Sequence, residues 1–93
     1  MRLAARVDEN QKCIVSGLRQ SGASVLSLAA VGKGCPDLLV LRSGRLYLLE
    51  IKNPEKPPSQ QRLTKDQVAF HKIWPVSVVR TVEEAIKATL ENK

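Results

Sequence analysis

The chain has few cysteines and histidines: Cys13, Cys35 and the single His71. Neither cysteine stands in a Cys-x-x-Cys pair, so a zinc site is not expected, and unpaired thiols suit a reducing cytoplasm. A lone histidine leaves no partner for nuclease chemistries built on histidine pairs; on its own it reads as a surface or packing residue. No apolar stretch approaches the ~20 residues that cross a membrane. Met1-Arg2-Leu3-Ala4-Ala5 leads into charge rather than into an apolar run, so no secretory signal is expected. Internal repeats and low-complexity segments are absent. Nothing resembles a zinc finger or a sequence-reading helix, which implies low base specificity. With 93 residues, the expectation is a single domain, 1–93, burying ~65% of its unfolded surface. Such a domain is too small to enclose DNA by itself, which favours a homodimer. Neither a membrane nor a further protein partner is implied.

What the chain does have is positive charge, a formal +6. An acidic partner follows, nucleic acid before an anionic membrane, with strongly salt-dependent binding.

The chemistry is concentrated in two short segments, Cys35-Pro36-Asp37 and Glu50-Ile51-Lys52. Between them lie apolar runs, Leu38 to Leu41 and Leu46 to Leu49, split by Arg42-Ser43-Gly44-Arg45. A two-residue turn at Ser43-Gly44, with Gly44 at positive φ, makes this a β-hairpin. Arg42 then faces Arg45, Leu39 faces Leu48, and Asp37 faces Glu50, with opposed Cβ atoms ~5 Å apart. Alternation puts Lys52 on the face of Glu50. Ser-Gly is not the strongest pair for such a turn, and a longer turn or bulge would move Asp37 out of register.

Two carboxylates this close persist when something positive lies between them. Oxygen ligands suit Mg²⁺ or Mn²⁺, and the Ile51 carbonyl is a further candidate. Lys52 is then placed to orient a water or stabilise a developing oxyanion. The bland alternative is an acid that caps a turn and a weak Glu50–Lys52 ion pair.

Around this hairpin the sequence predicts a helix from Glu9 to Ser21, with Asp8 and Gln11 as a capping box and Ile14 and Leu18 as the buried stripe. A strand over Ser24–Ala30 follows. Val31-Gly32-Lys33-Gly34-Cys35 is a loop in which Lys33 either meets a phosphate or lines an ordinary turn. Both faces of the hairpin, Leu39/Leu41/Leu46/Leu48 and Leu38/Val40/Tyr47/Leu49, read as covered by helices. The Pro-rich 53–63 connection carries Lys56 and Arg62, DNA contacts or solvated linker residues. Thr64 and Gln67 cap a helix ending at Pro75, with Val68, Phe70, Ile73 and Trp74 on its apolar side. A strand over Val76–Arg80 and a helix opened by Thr81 and Glu84 complete the chain. The fold class is α/β, a mixed sheet flanked by helices, in the order α-β-β-β-α-β-α.

Gly32-Lys33-Gly34-Cys35-Pro36-Asp37, followed by Glu50-Ile51-Lys52, resembles the PD-(D/E)xK nuclease superfamily. The likeness runs from the helix near Asp8-Glu9-Asn10-Gln11 to Leu63-Thr64-Lys65-Asp66-Gln67. More narrowly, the chain resembles a small stand-alone VRR-NUC domain of the phage and prophage type, with a restriction-endonuclease-like core. The resemblance implies that Asp37 and Glu50 bind metal and that Lys52 is catalytic. It also implies an acid on the first helix, either Asp8 or Glu9, and a glutamine on the helix after the hairpin, which Gln67 matches. Gln67 thus has two readings, helix cap or site residue, and one side chain rarely serves both well.

The expected function is a Mg²⁺- or Mn²⁺-dependent DNA endonuclease in the cytoplasm, that of the host if phage-encoded. Branched DNA such as Holliday junctions is the substrate the resemblance implies. A non-catalytic basic DNA-binding module, and a nickase or restriction-like enzyme acting on linear duplex, are the alternatives.

Overall fold

The computed structural model describes residues 9–90. Asp8, as capping residue or metal ligand, lies outside the described residues. Helix α1 (Glu9–Gln20) leads to strands β1 (Ser24–Ser27), β2 (Leu38–Arg42) and β3 (Arg45–Ile51). After a single 3-10 turn (Pro58–Gln60) come α2 (Lys65–Ile73), β4 (Val76–Val79) and α3 (Val82–Leu90). The order α-β-β-β-α-β-α is the one the sequence predicts. Both outer strands end earlier than predicted, because the hydrogen-bonded ladder stops at Ser27 and at Val79.

The sheet runs β1-β2-β3-β4, with β1 and β3 antiparallel to β2 and β4 parallel to β3. The hairpin register is the predicted one: Arg42 pairs with Arg45, Leu39 with Leu48 and Leu38 with Leu49. Ser43 (φ 54°) and Gly44 (φ 77°) both take the left-handed region. That combination is the I′ turn, whose twist matches the strands it joins. No bulge intervenes, so the next step of the ladder carries Asp37 toward Glu50.

One face of the sheet holds the core. Leu38, Val40 and Leu49 are 0% exposed and pack with Val25, Val79, Ile14, Leu18 and Ala85. Helices α1 and α3 cover this face and cross closely at Gly17, where a Cβ would collide with Val82. Arg42 pins the far end: its guanidinium donates to Ser21 O and Oγ at 2.8 and 2.7 Å, and its Nε to Thr89 Oγ1 at 3.2 Å.

The opposite face departs from expectation. Leu46 is 66% exposed, Leu26 62% and Leu41 43%. Alternation correctly puts these leucines on one side, but among the described residues only α2 lies there, at the end where Gln67 meets β3. The apolar side predicted for α2 is exposed too at Val68, Ile73 and Trp74. Its Phe70 and Trp74 rings stack on each other, with centroids 5.6 Å apart.

Candidate active site

Four elements meet where β2 begins and β3 ends. Pro36 is fully buried and delivers Asp37 to the start of β2. Asp37 Oδ2 accepts a 2.7 Å hydrogen bond from the backbone N–H of Ile51. The predicted convergence is therefore present: Asp37, Glu50, Ile51 and Lys52 lie in one cluster.

Glu50 is 3% exposed and Lys52 9%. The Lys52 ammonium lies 3.8 Å from Glu50 Oε2 and donates to Gln67 Oε1 at 3.3 Å. Gln67 Nε2 in turn donates to Glu50 Oε2 at 3.0 Å. The same Gln67 Oε1 accepts the Thr64 N–H at 2.9 Å, and the Gln67 N–H donates to Thr64 Oγ1 at 3.2 Å. Gln67 is thus both helix cap and site residue, correcting the expectation that one side chain would choose. The amide separates the tasks: its oxygen takes the cap and the lysine, and its nitrogen takes the glutamate.

Burial, then repulsion from Asp37, pushes Glu50 up to about 7, against the opposing pull of Lys52. Glu50 Oε1 is buried without a hydrogen-bond partner. Two ionised carboxylates offer only acceptors to each other, so the pair calls for a proton or a cation between them. A divalent cation fits that requirement. Burial, Glu50 and Asp37 together raise the Cys35 thiol, which favours its protonated form over a thiolate.

Glu9 does not join this cluster. It is exposed at the start of α1 and lines a cavity of about 230 Å³ with Asn10, Cys13, Asn53, Pro54 and Glu55. No group of three His, Cys, Asp or Glu residues able to hold a metal occurs among the described residues. The next residue, Asn10, turns inward instead and donates to Lys52 O at 3.3 Å and Arg80 O at 3.2 Å. Sequence reading missed Asn10, since an asparagine in a first helical turn reads as a cap.

The glycine loop packs against α2. Gly34 (φ 83°) has the backbone of Asp66 and Gln67 packed against its α-carbon, and a Cβ there would fall 2.9 Å from Gln67 N. It admits the first turn of α2. Lys33 (φ 55°) is exposed in the same loop, and Lys56 and Arg62 are exposed on the 53–63 connection.

A mixed sheet that brings an aspartate, a Glu-x-Lys pair and a helix glutamine together defines a nuclease-type domain of PD-(D/E)xK arrangement. The comparison with solved structures agrees. A structure described as a VRR_NUC domain shares 25% sequence identity with this chain, at a TM-score of 0.63. The match covers 89% of this chain and 92% of that one. The chain therefore has the VRR-NUC fold. No family model and no curated protein matches the sequence.

Proposed function

We propose that this domain is a divalent-metal-dependent endodeoxyribonuclease. The observation that carries the reading is the half-buried Asp37 beside the buried Glu50, with one Glu50 carboxylate oxygen lacking a donor and Lys52 alongside. Asp37, Glu50 and the Ile51 carbonyl would hold Mg²⁺ or Mn²⁺, which supplies Lewis-acid activation of water and of the phosphodiester. Lys52, fixed by Gln67, steadies the attacking oxygen or the charge on the phosphorus-bound oxygens. Asn10 holds the backbone of Lys52 and so the direction of its side chain. A contribution from Glu9 would have to come through a shift of the α1 start.

DNA is the substrate in this reading, supported by the net charge of +6 and by exposed Lys33, Lys56 and Arg62 near the site in sequence. The homodimer is supported by the open leucine face, since exposed apolar patches mark interaction surfaces. Two symmetric sites would suit a four-way junction with paired strands. The setting proposed is cytoplasmic. No helix among the described residues is long and apolar enough to cross a membrane.

One panel tests this. The protein is incubated with four-way junction, flap, single-stranded and linear duplex DNA, each with Mg²⁺, Mn²⁺ or chelator, beside Lys52→Ala and Asp37→Asn. Metal-dependent cutting of the junction, lost in both variants, is expected. Cutting of linear duplex alone would replace the junction substrate with a nickase or restriction-like one. DNA binding without cutting under either metal would leave only the non-catalytic module.

A further inference from the structure

His71 is the sole histidine of the chain. It sits on α2 four residues beyond Gln67, and residues so spaced share one helix face ~6 Å apart. The ring is therefore carried toward the amide that holds Lys52. Its Nε2 is sealed from solvent and has no hydrogen-bond partner. The Lys52 ammonium, which Gln67 holds, has three N–H donors. Among the described residues it uses them on one hydrogen bond, to Gln67 Oε1, and one longer ion pair, to Glu50 Oε2. An unused acceptor on α2 and an incompletely used donor at the end of β3 thus both neighbour Gln67.

Burial and the Lys52 charge both lower the His71 pKa, so the ring is neutral at pH 7. Beside an ammonium, a neutral imidazole is better placed with its proton on Nδ1 and its Nε2 lone pair turned inward. Glu50 cannot serve a cation and Lys52 equally well. When it turns to the cation, Lys52 loses its ion-pair partner and needs another acceptor to stay aimed.

We propose that His71 is a positioning residue for Lys52, its Nε2 accepting the spare ammonium N–H when Glu50 engages a cation. The inference rests on the nuclease reading, but half of its test does not. Because there is one imidazole, a long-range ¹H–¹⁵N spectrum of the intact protein reports it without ambiguity. The expected result is the Nδ1–H tautomer, with an Nε2 resonance that moves on addition of Mg²⁺ and again in Lys52→Met. A proton on Nε2, or an Nε2 resonance indifferent to Lys52→Met, overturns the proposal.

The second half is kinetic, on a four-way junction with Mg²⁺. His71→Leu fills the space without an acceptor and should lower kcat about 10-fold or more with KM unchanged, the cost of a misaimed group. His71→Gln restores an acceptor near the Nε2 position and should stay within about 3-fold of the parent, less than the loss of a positioned group costs. Equal losses in both variants, or none in His71→Leu, overturn the proposal. Thermal melts accompany each variant, and should His71→Leu not fold, His71→Gln and the spectrum decide. A parent protein that cuts no DNA with either metal refutes the nuclease reading, while the spectrum still decides whether Nε2 serves Lys52.

Discussion

The two faces of the sheet share β-strands and differ in almost everything else. The face under α1 and α3 is apolar, closed and tightly packed, with Leu38, Val40 and Leu49 fully buried. The other face is open over its leucines among the described residues and holds two buried groups, Glu50 and Lys52, at one end under α2. Non-directional apolar burial supplies most of the stability of a fold, whereas a site needs directional, charge-bearing contacts that burial alone penalises. This small domain keeps the two demands apart by assigning one to each side of the same strands. Changes on the closed side should therefore cost stability, and changes on the open side should cost activity.

Glu50→Gln is the largest expected break in that contrast. It keeps the hydrogen bond from Gln67 but removes the charge, so cleavage should fall about 10³-fold, the scale for losing a charged catalytic group. Metal-free stability should instead rise. The native pKa of Glu50 is about 7, above its ordinary 4.5. Between those values the folded state binds more protons than the unfolded one, so stability declines as pH rises from 4.5 to about 7. Above about 7 the whole penalty is present, and below 4.5 it is absent. Melts of the metal-free protein from pH 4.5 to 8 should show this decline, and Glu50→Gln should flatten it. Added Mg²⁺ should stabilise the parent most above pH 7 and the variant little. A parent curve that rises through this window would contradict the buried, proton-hungry carboxylate.

On the closed face, Leu49→Ala should cost about 3 kcal/mol, because it removes buried methylenes and leaves a cavity. Its counterpart, Leu46→Ala, lies three residues away on the exposed face and should change monomer stability by no more than about 0.5 kcal/mol. Chemical denaturation at low protein concentration measures both. If the open leucines form a dimer interface, Leu46→Ala should weaken association at high concentration while leaving the dilute unfolding curve in place. Equal costs in dilute solution would mean that the two faces are not as different as their exposure indicates.

How much of this could be read from the residues follows the same division. The hairpin register came from two apolar runs and a Ser-Gly turn, and the cap of α2 from Thr64 and Gln67, because both are local rules. Alternation also put Asp37, Glu50 and Lys52 on one face. It could not say that Leu41 and Leu46 would stay uncovered, since a leucine stripe reads the same under a helix or awaiting a partner. Asn10, Gly34 and His71 were illegible for a related reason. Each concerns a segment distant in sequence: Asn10 bonds Lys52 and Arg80, Gly34 packs on the first turn of α2, and His71 feels the charge of Lys52. Nothing in the local pattern names such a neighbour. The double duty of Gln67 escaped for want of the tertiary distance between α2 and β3.

Gly34→Ala tests the seam between the two faces. The new Cβ would meet the backbone of Asp66 and Gln67, and alanine is strained at φ 83°. The first turn of α2 must give way, taking Gln67 from Glu50 and Lys52. Cleavage should fall about 10-fold or more, as for other small misplacements of catalytic groups. The loss of stability should be smaller than for Leu49→Ala, because α2 buries no residue fully. A variant that unfolds without first losing activity would place α2 in the folding core rather than in the site.

The smallest effect should come from the hairpin turn, at the far end from the carboxylates. Ser43 holds φ 54° beside Gly44 at φ 77°, and of the common residues asparagine tolerates this region better than serine. Ser43→Asn should therefore stabilise the protein by about 0.5 kcal/mol while leaving cleavage unchanged. The Arg42–Arg45 pair is expected to stay in register, so Asp37 keeps its place beside Glu50. A gain in stability accompanied by loss of cleavage would show that the preferred turn differs from the native one, and that shifting the hairpin register by even one residue takes Asp37 out of the site.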